Sequence, residues 1–517
     1  MTTDRLIAHT PDGDFGETLM ADVPRGVPTR RLSEQTAPQA RFIDPNEIAG
    51  HPSLQFNPSQ STGQLVLGAI GDQLIGIEDD RHMLTVAGSR AGKSVTLTNN
   101  LLCYSGSVLC TDPKGELANN TAQARADQGQ AVKILDPFGI TDEALAPFRV
   151  QYNPMSLLTL TNRFIIEDSL QLTDGLILQS GQEKDPHWNE SASHFIAGLI
   201  LYTAVAPALD ERERHLITVR QLLNRALETS DDGKTFVIEE AVLSNCAHLR
   251  TTGFKDIAAM IEGAVRGFYD KGTEERGSVL STARRHTQFL EFSAMKSVLT
   301  GHDVDLSDLK TDPGGTTIYL VLPATRMSLC NRWLRILINQ LIDSMERTPG
   351  TPRVPVLVAL DEFPVLGFMR QLQDATGQIA SFGVKLWVII QDWGQGKALY
   401  KERFESFAAN AGILQAFGNV DVTTTEYLSK RLGDTLIEES RFNETNRKQK
   451  DQGLKGEQMS YHRYPLMTAD EIARTFSRAD PLKRQLVLWA GVRPMILQRV
   501  AYYDPASPMH RVLNGTP

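Results

Sequence analysis

The sequence predicts an α/β protein in which a mostly parallel, twisted sheet carries helices on both faces and is interrupted by an all-helical insertion. Two observations predict it. Short apolar runs ending at polar or glycine residues recur along the chain: LTVA at 84–87, VLC at 108–110, AVKIL at 131–135, TIYLVL at 317–322, VPVLVAL at 354–360 and LWVII at 386–390. Continuous apolar runs suit strands buried on both faces, as in a parallel sheet, and helical stretches separate most of them. Between about 157 and 290, by contrast, such runs nearly vanish, and NESASHFIAGLILYTAVAPAL and FKDIAAMIEGAVRGFYDKG carry apolar residues at helical spacing.

The 517 residues allow about three domain-sized units. Hydrophobic residues at 41 % and charged residues at 22 % exclude a disordered or collagen-like chain. Lys and Arg number 53 against 62 Asp and Glu, a net charge of −9, so no global positive field advertises a nucleic-acid partner. Any DNA contact must be local, such as a pore lining. Cys103, Cys110, Cys246 and Cys330 lack paired spacing and imply neither a disulfide scaffold nor a zinc site; they are expected to be small buried hydrophobes in a reducing cytoplasm. The start, MTTDRLIAHTPDGDFGETLM, has acids where an export signal needs a basic end and an apolar run. The apolar stretch FIAGLILYTAVAPAL at 195–209 is shorter than the roughly 20 residues of a spanning helix and is expected to be a buried core helix.

The strongest chemical signal is AGSRAGKS at 87–94, which fits [AG]-x4-G-K-[ST] between an apolar strand and the helix-compatible VTLTNNLL. Such a phosphate loop needs glycines so that successive N–H groups can point at phosphate oxygens, and the following helix adds the positive end of its dipole. The expected ATP cradle is Ala87, Gly88, Ser89, Arg90, Ala91, Gly92, Lys93, Ser94 and Val95. Lys93 would reach the β- and γ-phosphates, and the Ser94 hydroxyl would ligate Mg2+. Ala87 replaces the usual first glycine at a position that closes the strand.

In VPVLVALDEF at 354–363 an apolar strand runs into two adjacent carboxylates, a Walker B shape. The carboxyl end of a buried strand is where an open α/β sheet binds ligands. Asp361 would hold Mg2+ through water, and Glu362 would orient and deprotonate the attacking water. Gln391, at the end of LWVIIQ, is the third expected catalytic group beside Lys93: on a strand between the other two, its amide can donate to phosphate and accept from water at once. Arg370 and Arg431 are candidates for a finger reaching a neighbouring subunit's nucleotide; surface arginines are common, and solvation is the blander reading. His187 and His194, seven apart without metal-spaced partners, are expected to pack or cap rather than ligate.

These signals divide the chain into an N-terminal arm or edge element (1–63), a first part of a RecA-like nucleotide-binding domain (64–156), an all-α insertion (157–290), the second part of that domain (291–436), and a polar loop with closing strands (437–517). Within the last, ETNRKQKDQGLKGEQMSYHRY at 444–464 is net basic and nearly free of aliphatics, and is expected to be a mobile loop.

Over about 65–510 the sequence resembles the type IV secretion coupling proteins, the TraG/TraD-like conjugation ATPases, which are themselves similar to the FtsK and HerA translocases. Beyond the phosphate loop, the resemblance rests on VLCTDPKGEL at 108–117, DPHWNESA at 185–192, LDEFPVLGFM at 360–369 and SFGVKLWVIIQDWGQ at 381–395. It continues through FGNVDVTTTEYLSKRLGD at 417–434, PLMTADEIAR, and RPMILQRVAYYDP near the end. The resemblance implies a RecA-like hexamer with ATP and Mg2+ at subunit interfaces and a central channel handling DNA. It also implies an all-α domain facing the cytoplasm and recognising DNA, relaxase or adaptor. Such a protein hydrolyses ATP to pass relaxase-bound single-stranded DNA, and sometimes protein effectors, to a secretion channel.

Three departures stand out. Ala380 occupies a place where some members carry an arginine finger, the usual Gln-Ser is Gln391-Asp392, and the membrane helices with which members usually begin have no counterpart. The expectation is therefore a cytoplasmic protein docked peripherally at the inner membrane, touching the membrane only through channel or inner-membrane partners. A soluble FtsK/HerA-like translocase unlinked to secretion, or a hexameric adaptor that uses nucleotide mainly for assembly, are the alternatives. DPKGEL and the near-C-terminal match favour coupling over the former; intact Lys93, Asp361 and Glu362 argue against the latter.

Overall fold

A computed structural model describes residues 40–57, 63–178, 187–442 and 457–515. After a short helix α1 (Pro45–Gly50) come β1 (Leu65–Ile70), β2 (Gln73–Ile77), β3 (His82–Ala87), α2 (Lys93–Cys103), β4 (Val108–Asp112), α3 (Glu116–Asp127) and β5 (Ala131–Leu135). A helical stretch follows: α4 (Ile165–Leu176), α5 (His187–Val205), α6 (Leu216–Arg225), α7 (Val237–Thr251), α8 (Lys255–Tyr269), α9 (Thr273–Thr287) and α10 (Ser293–Leu299). The chain then returns through β6 (Thr316–Val321), α11 (Ala324–Arg347), β7 (Val356–Leu360), β8 (Val384–Ile390), α12 (Trp393–Tyr400), β9 (Ala411–Phe417) and α13 (Val422–Leu432). It ends with β10 (Asp434–Phe442), β11 (Glu457–Pro465), β12 (Arg484–Trp489) and β13 (Met495–Gln498).

Eleven strands form one sheet in the order β2-β1-β13-β12-β9-β3-β8-β7-β4-β6-β5. From β9 to β5 all neighbours pair parallel, and β12, β13, β1 and β2 add an antiparallel edge. Every residue of β3, β4, β6, β7, β8 and β9 is buried, which is why most of them register as continuous apolar runs. Alternate side chains feed two cores: Leu84 and Val86 join the one shared with the helical stretch, and Met83 joins the one roofed by α2 and α3.

β1, β2, β9 and β12 lack that signal because residues on them answer to neighbouring elements. Gly68 interrupts β1 because a Cβ there would lie 2.5 Å from Gln498 O, and Gly76 interrupts β2 because a Cβ would meet the Phe56 ring at 2.8 Å. β9 and β12 carry Gln415 and Gln485 in the interior. Thr85 Oγ1 donates to Gln415 Oε1 at 3.1 Å, and Gln415 Nε2 donates to Gln485 Oε1 at 2.6 Å, so the buried amides satisfy one another across the sheet.

Among the described residues no strand lies between β5 and β6, and helical structure runs past residue 290 to Leu299. Of FIAGLILYTAVAPAL, residues 195–205 form the second half of α5, buried throughout, and 206–209 lie past its end; the Phe195 ring stacks on Phe268 at 3.8 Å. No described helix is long and apolar enough to cross a membrane.

One expectation needs correction, and one open alternative is resolved. Residues 457–464 are not loop but most of β11, paired antiparallel with β10 from Asp434↔Pro465 to Phe442↔Glu457; residues 443–456 lie outside the described residues. The two strands pair only with each other, outside the main sheet. Of the N-terminal segment, read as an arm or an edge element, residues 1–39 lie outside the described residues, and 40–57 pack as an edge element. Asp44 caps α1, accepting from Asn46 N at 2.8 Å, and Ile48 and Leu54 are buried in the α2–α3 core.

Candidate nucleotide site

β3 ends at Ala87 and the chain turns through Gly88–Gly92 into α2. Gly92 has φ +107° and no side chain caps the helix, so the first-turn N–H groups of α2 stay open to an anion. The loop is anchored from behind. Gly88 N donates to Phe417 O at 3.1 Å, and a Cβ on Gly88 would lie 2.0 Å from Gly418 O, which is why glycine stands there. Arg499, just past β13, donates from Nη1 to Ala91 O at 2.6 Å, with its guanidinium 5.2 Å from the Phe417 ring centroid. Ala87 and Ala91 pack with Phe417 as a small apolar cluster, so the alanine in the first motif position has a packing role.

Just past β7, Asp361 O accepts from Thr111 Oγ1 of β4 at 2.8 Å, and Asp361 is 7 % exposed. Glu362 follows in the left-handed region, φ +56° and ψ +42°, a conformation costly for a non-glycine and recurrent at functional sites. Its carboxylate accepts from Gln391 Nε2 at 3.2 Å on both oxygens, and Lys93 Nζ lies 3.5 Å from Oε1. The juxtaposition follows from strand order: β8 lies between β3 and β7, so its last side chain falls between the phosphate-loop lysine and the second Walker B acid.

Gln391 is itself braced. Its backbone O accepts from Asn419 Nδ2 at 2.9 Å, and its N donates to Gln395 Oε1 at 3.1 Å. Asp392 caps α12, accepting from Gln395 N at 2.9 Å. Serine and aspartate both serve as N-caps, so the Gln-Asp departure preserves the local geometry.

Burial pushes Asp361 up to about 6, Glu362 pushes it further the same way, and Lys93 opposes both. Burial likewise pushes Asp112, at the end of β4, up to about 6, although its carboxylate accepts from Lys114 N at 3.2 Å and Ala118 N at 2.9 Å. These residues line a cavity of about 720 Å3 with Ser89, Arg90, Gly92, Ser94 and Val95. Four carboxylates, Asp112, Glu116, Asp361 and Glu362, with Lys93 and Lys114, beside a hydroxyl and an open helix N-terminus, are a donor set that fits a divalent cation carrying a polyphosphate. Ser94 and Asp361 are the residues that would hold it.

Ala87, Gly88 and Ala91 support the loop without lining the cavity. Arg370 lines a separate cavity of about 200 Å3 with Asp174 and Arg335, and Arg431 is exposed on α13, with Nη1 donating to Tyr427 Oη at 3.5 Å. His187 Nε2 lies 3.1 Å from Glu275 Oε1, and His194 is exposed on α5. Asp112 carries the same strand-end acid signal as Asp361, quoted above only as part of a resemblance. Arg499 and Asn419 have no local signal: they arrive from elements 408 and 28 positions away from their partners.

A sequence model of the family described as "Type IV secretory system Conjugative DNA transfer" matches residues 34–515. The chain is 26 % identical over 405 residues to the conjugal transfer protein TraG of Escherichia coli, covering 76 % of this chain and 61 % of that protein. It is 26 % identical over 440 residues to the type IV secretion system-coupling protein VirD4 of Bartonella henselae, covering 82 % and 63 %. The chain thus spans about six tenths of the length of the curated relatives it matches. Among solved structures, the fold is shared with the plasmid coupling protein TrwB in complex with ADP and Mg2+: TM-score 0.57 and 17 % identity, covering 83 % of this chain and 88 % of that one.

Proposed function

The chain belongs to the type IV secretory system conjugative DNA transfer family, and on that premise we propose that it is an ATP-hydrolysing coupling protein. In this reading it recruits relaxase-bound single-stranded DNA, and protein effectors in some settings, and drives them into a secretion channel. One observation carries the ATPase reading: Lys93 and Gln391 converge on Glu362, in front of the phosphate loop and one residue after the buried Asp361. The names of TraG and VirD4 support the transfer role, and the ADP and Mg2+ named for TrwB support the ligand.

The roles follow from position. Lys93 and the N–H groups at the start of α2 bind phosphate, while Ser94 and Asp361 hold Mg2+. When bound, Mg2+ neutralises charge on the phosphate oxygens. Glu362, held between Gln391 and Lys93, is placed to accept a proton from water, and the Gln391 amide fixes the direction in which the carboxylate points. The helical stretch recognises DNA, relaxase or adaptor. Subunits assemble as a hexamer with nucleotide between them, and the assembly docks at the cytoplasmic face of the inner membrane through channel components.

The test is ATP hydrolysis by wild type and Lys93→Ala, with and without single-stranded DNA. DNA-stimulated hydrolysis abolished by the substitution supports the reading. Equal rates in the two proteins would overturn it.

A further inference from the structure

The nucleotide cavity has one aromatic wall, Tyr503, in the segment after β13. It is 62 % exposed although it lines a cavity otherwise built from phosphate-loop residues, strand-end polar groups, the charged Lys114 and Glu116, and aliphatic side chains that include Leu117 and Met327. A large ring standing in solvent at the lip of a polar cavity gains nothing from burial where it is, and it presents a flat apolar face to whatever enters.

The ring is held in register with the phosphate loop by its own segment. Four residues earlier, Arg499 grips Ala91 O at 2.6 Å. At Val500, the backbone O accepts from Asn99 Nδ2 of α2 at 2.9 Å. Tyr502, packed among Phe56 and Cys103, meets the Tyr503 ring edge-on, with centroids 5.2 Å apart and planes at 90°. The segment is therefore fastened to both ends of the phosphate-binding element, and Tyr503 is supported from behind with its outer side open.

We propose that Tyr503 is the platform on which the base of the bound nucleoside triphosphate stacks, and that it makes the site purine-preferring without distinguishing adenine from guanine. The inference rests on the nucleotide reading above. Stacking on an aromatic face is available to every base and is stronger for the larger purine surface, while it reads no hydrogen-bonding edge. The phosphate end of the ligand supplies most of the affinity through the loop and Lys93, and Tyr503 supplies the nucleoside increment.

The test is titration calorimetry, in excess Mg2+, of ATP, GTP, CTP and inorganic tripolyphosphate against the full chain, comparing wild type with Tyr503→Ala, Tyr503→Phe and Lys93→Ala. Tyr503→Ala is expected to lose roughly tenfold in affinity for ATP and GTP, less for CTP, and nothing for tripolyphosphate. Tyr503→Phe keeps the ring and is expected to match wild type. The proposal is overturned if Tyr503→Ala binds ATP as wild type does, or if it loses tripolyphosphate as strongly as ATP, which would make Tyr503 a support for the loop. If wild type binds neither ATP nor tripolyphosphate, or if Lys93→Ala changes nothing, the nucleotide reading itself fails and takes the base platform with it. The Lys93→Ala arm separates the two failures.

Discussion

Gln391 donates from one amide nitrogen to both carboxylate oxygens of Glu362, at 3.2 Å each. The Lys93 ammonium reaches the same carboxylate at 3.5 Å, so one acid is held by a neutral donor from the end of β8 and a cation from the start of α2. Glu362→Gln is expected to keep nucleotide binding and lose about 10²–10⁴-fold in hydrolysis. Gln391→Ala is expected to lower kcat with little change in KM, because it frees the carboxylate without removing a phosphate contact. Steady-state kinetics on the two variants checks both; a KM effect alone for Gln391→Ala would move that residue to substrate binding.

The acids give stability and binding opposite pH dependences. Asp361 and Asp112 lie at about 6 in the folded chain against an ordinary 3.8. The fold favours their protonated forms, so the stability they contribute is fully present below about pH 4 and is lost as pH rises through about 6. Asp361→Asn stays neutral throughout. Without nucleotide it is expected to melt a few degrees above wild type at about pH 8 and together with it at about pH 4. Mg2+-dependent nucleotide binding needs the carboxylate, so wild-type affinity falls as pH falls through about 6, while the variant is weak at every pH. Scanning calorimetry and nucleotide titration across pH read the two effects separately.

Arg499 fastens the phosphate loop. Arg499→Ala removes the donor to Ala91 O and the cation over Phe417, and is expected to weaken nucleotide binding roughly tenfold and to destabilise the fold by about 1.5–3 kcal/mol. Gly88→Ala attacks the same joint from the other side. Its Cβ would stand 2.0 Å from Gly418 O, so nucleotide binding is expected to be lost, with destabilisation of roughly 2–4 kcal/mol. Denaturant titration with nucleotide affinity measured on the same samples checks both variants.

Arg335 joins the nucleotide domain to the helical stretch. From α11 it donates to Leu366 O at 2.9 Å and Phe368 O at 2.8 Å, in the loop after Glu362, and to Gly175 O at 3.3 Å at the end of α4. No carboxylate is among those partners, and burial pushes the guanidinium down to about 10. Arg335→Met would strand those carbonyls and is expected to cost about 2–4 kcal/mol, and Lys cannot restore the fork. Limited proteolysis is expected to show new cleavage near residues 366–371 in both variants. Unchanged cleavage and stability would show that the joint is held elsewhere.

Most of the parallel part of the sheet, the phosphate-loop motif, the carboxylate pair after β7 and the glutamine after β8 are legible in the sequence. Each is a local pattern: a strand buried on both faces must be apolar throughout, and a phosphate cradle must place glycine, lysine and hydroxyl at fixed offsets. The antiparallel edge was less legible, because Gly68, Gly76, Gln415 and Gln485 answer to neighbours on other strands rather than to a local pattern. Tertiary packing sets the rest: Gln391 meets Glu362, Asp112 joins the acids, and Arg499 and Tyr503 return from near the end of the chain to brace and wall the cavity. Those relationships are set by strand order, which brings residues as far as 408 positions apart around this cavity within hydrogen-bonding distance and leaves no periodicity behind.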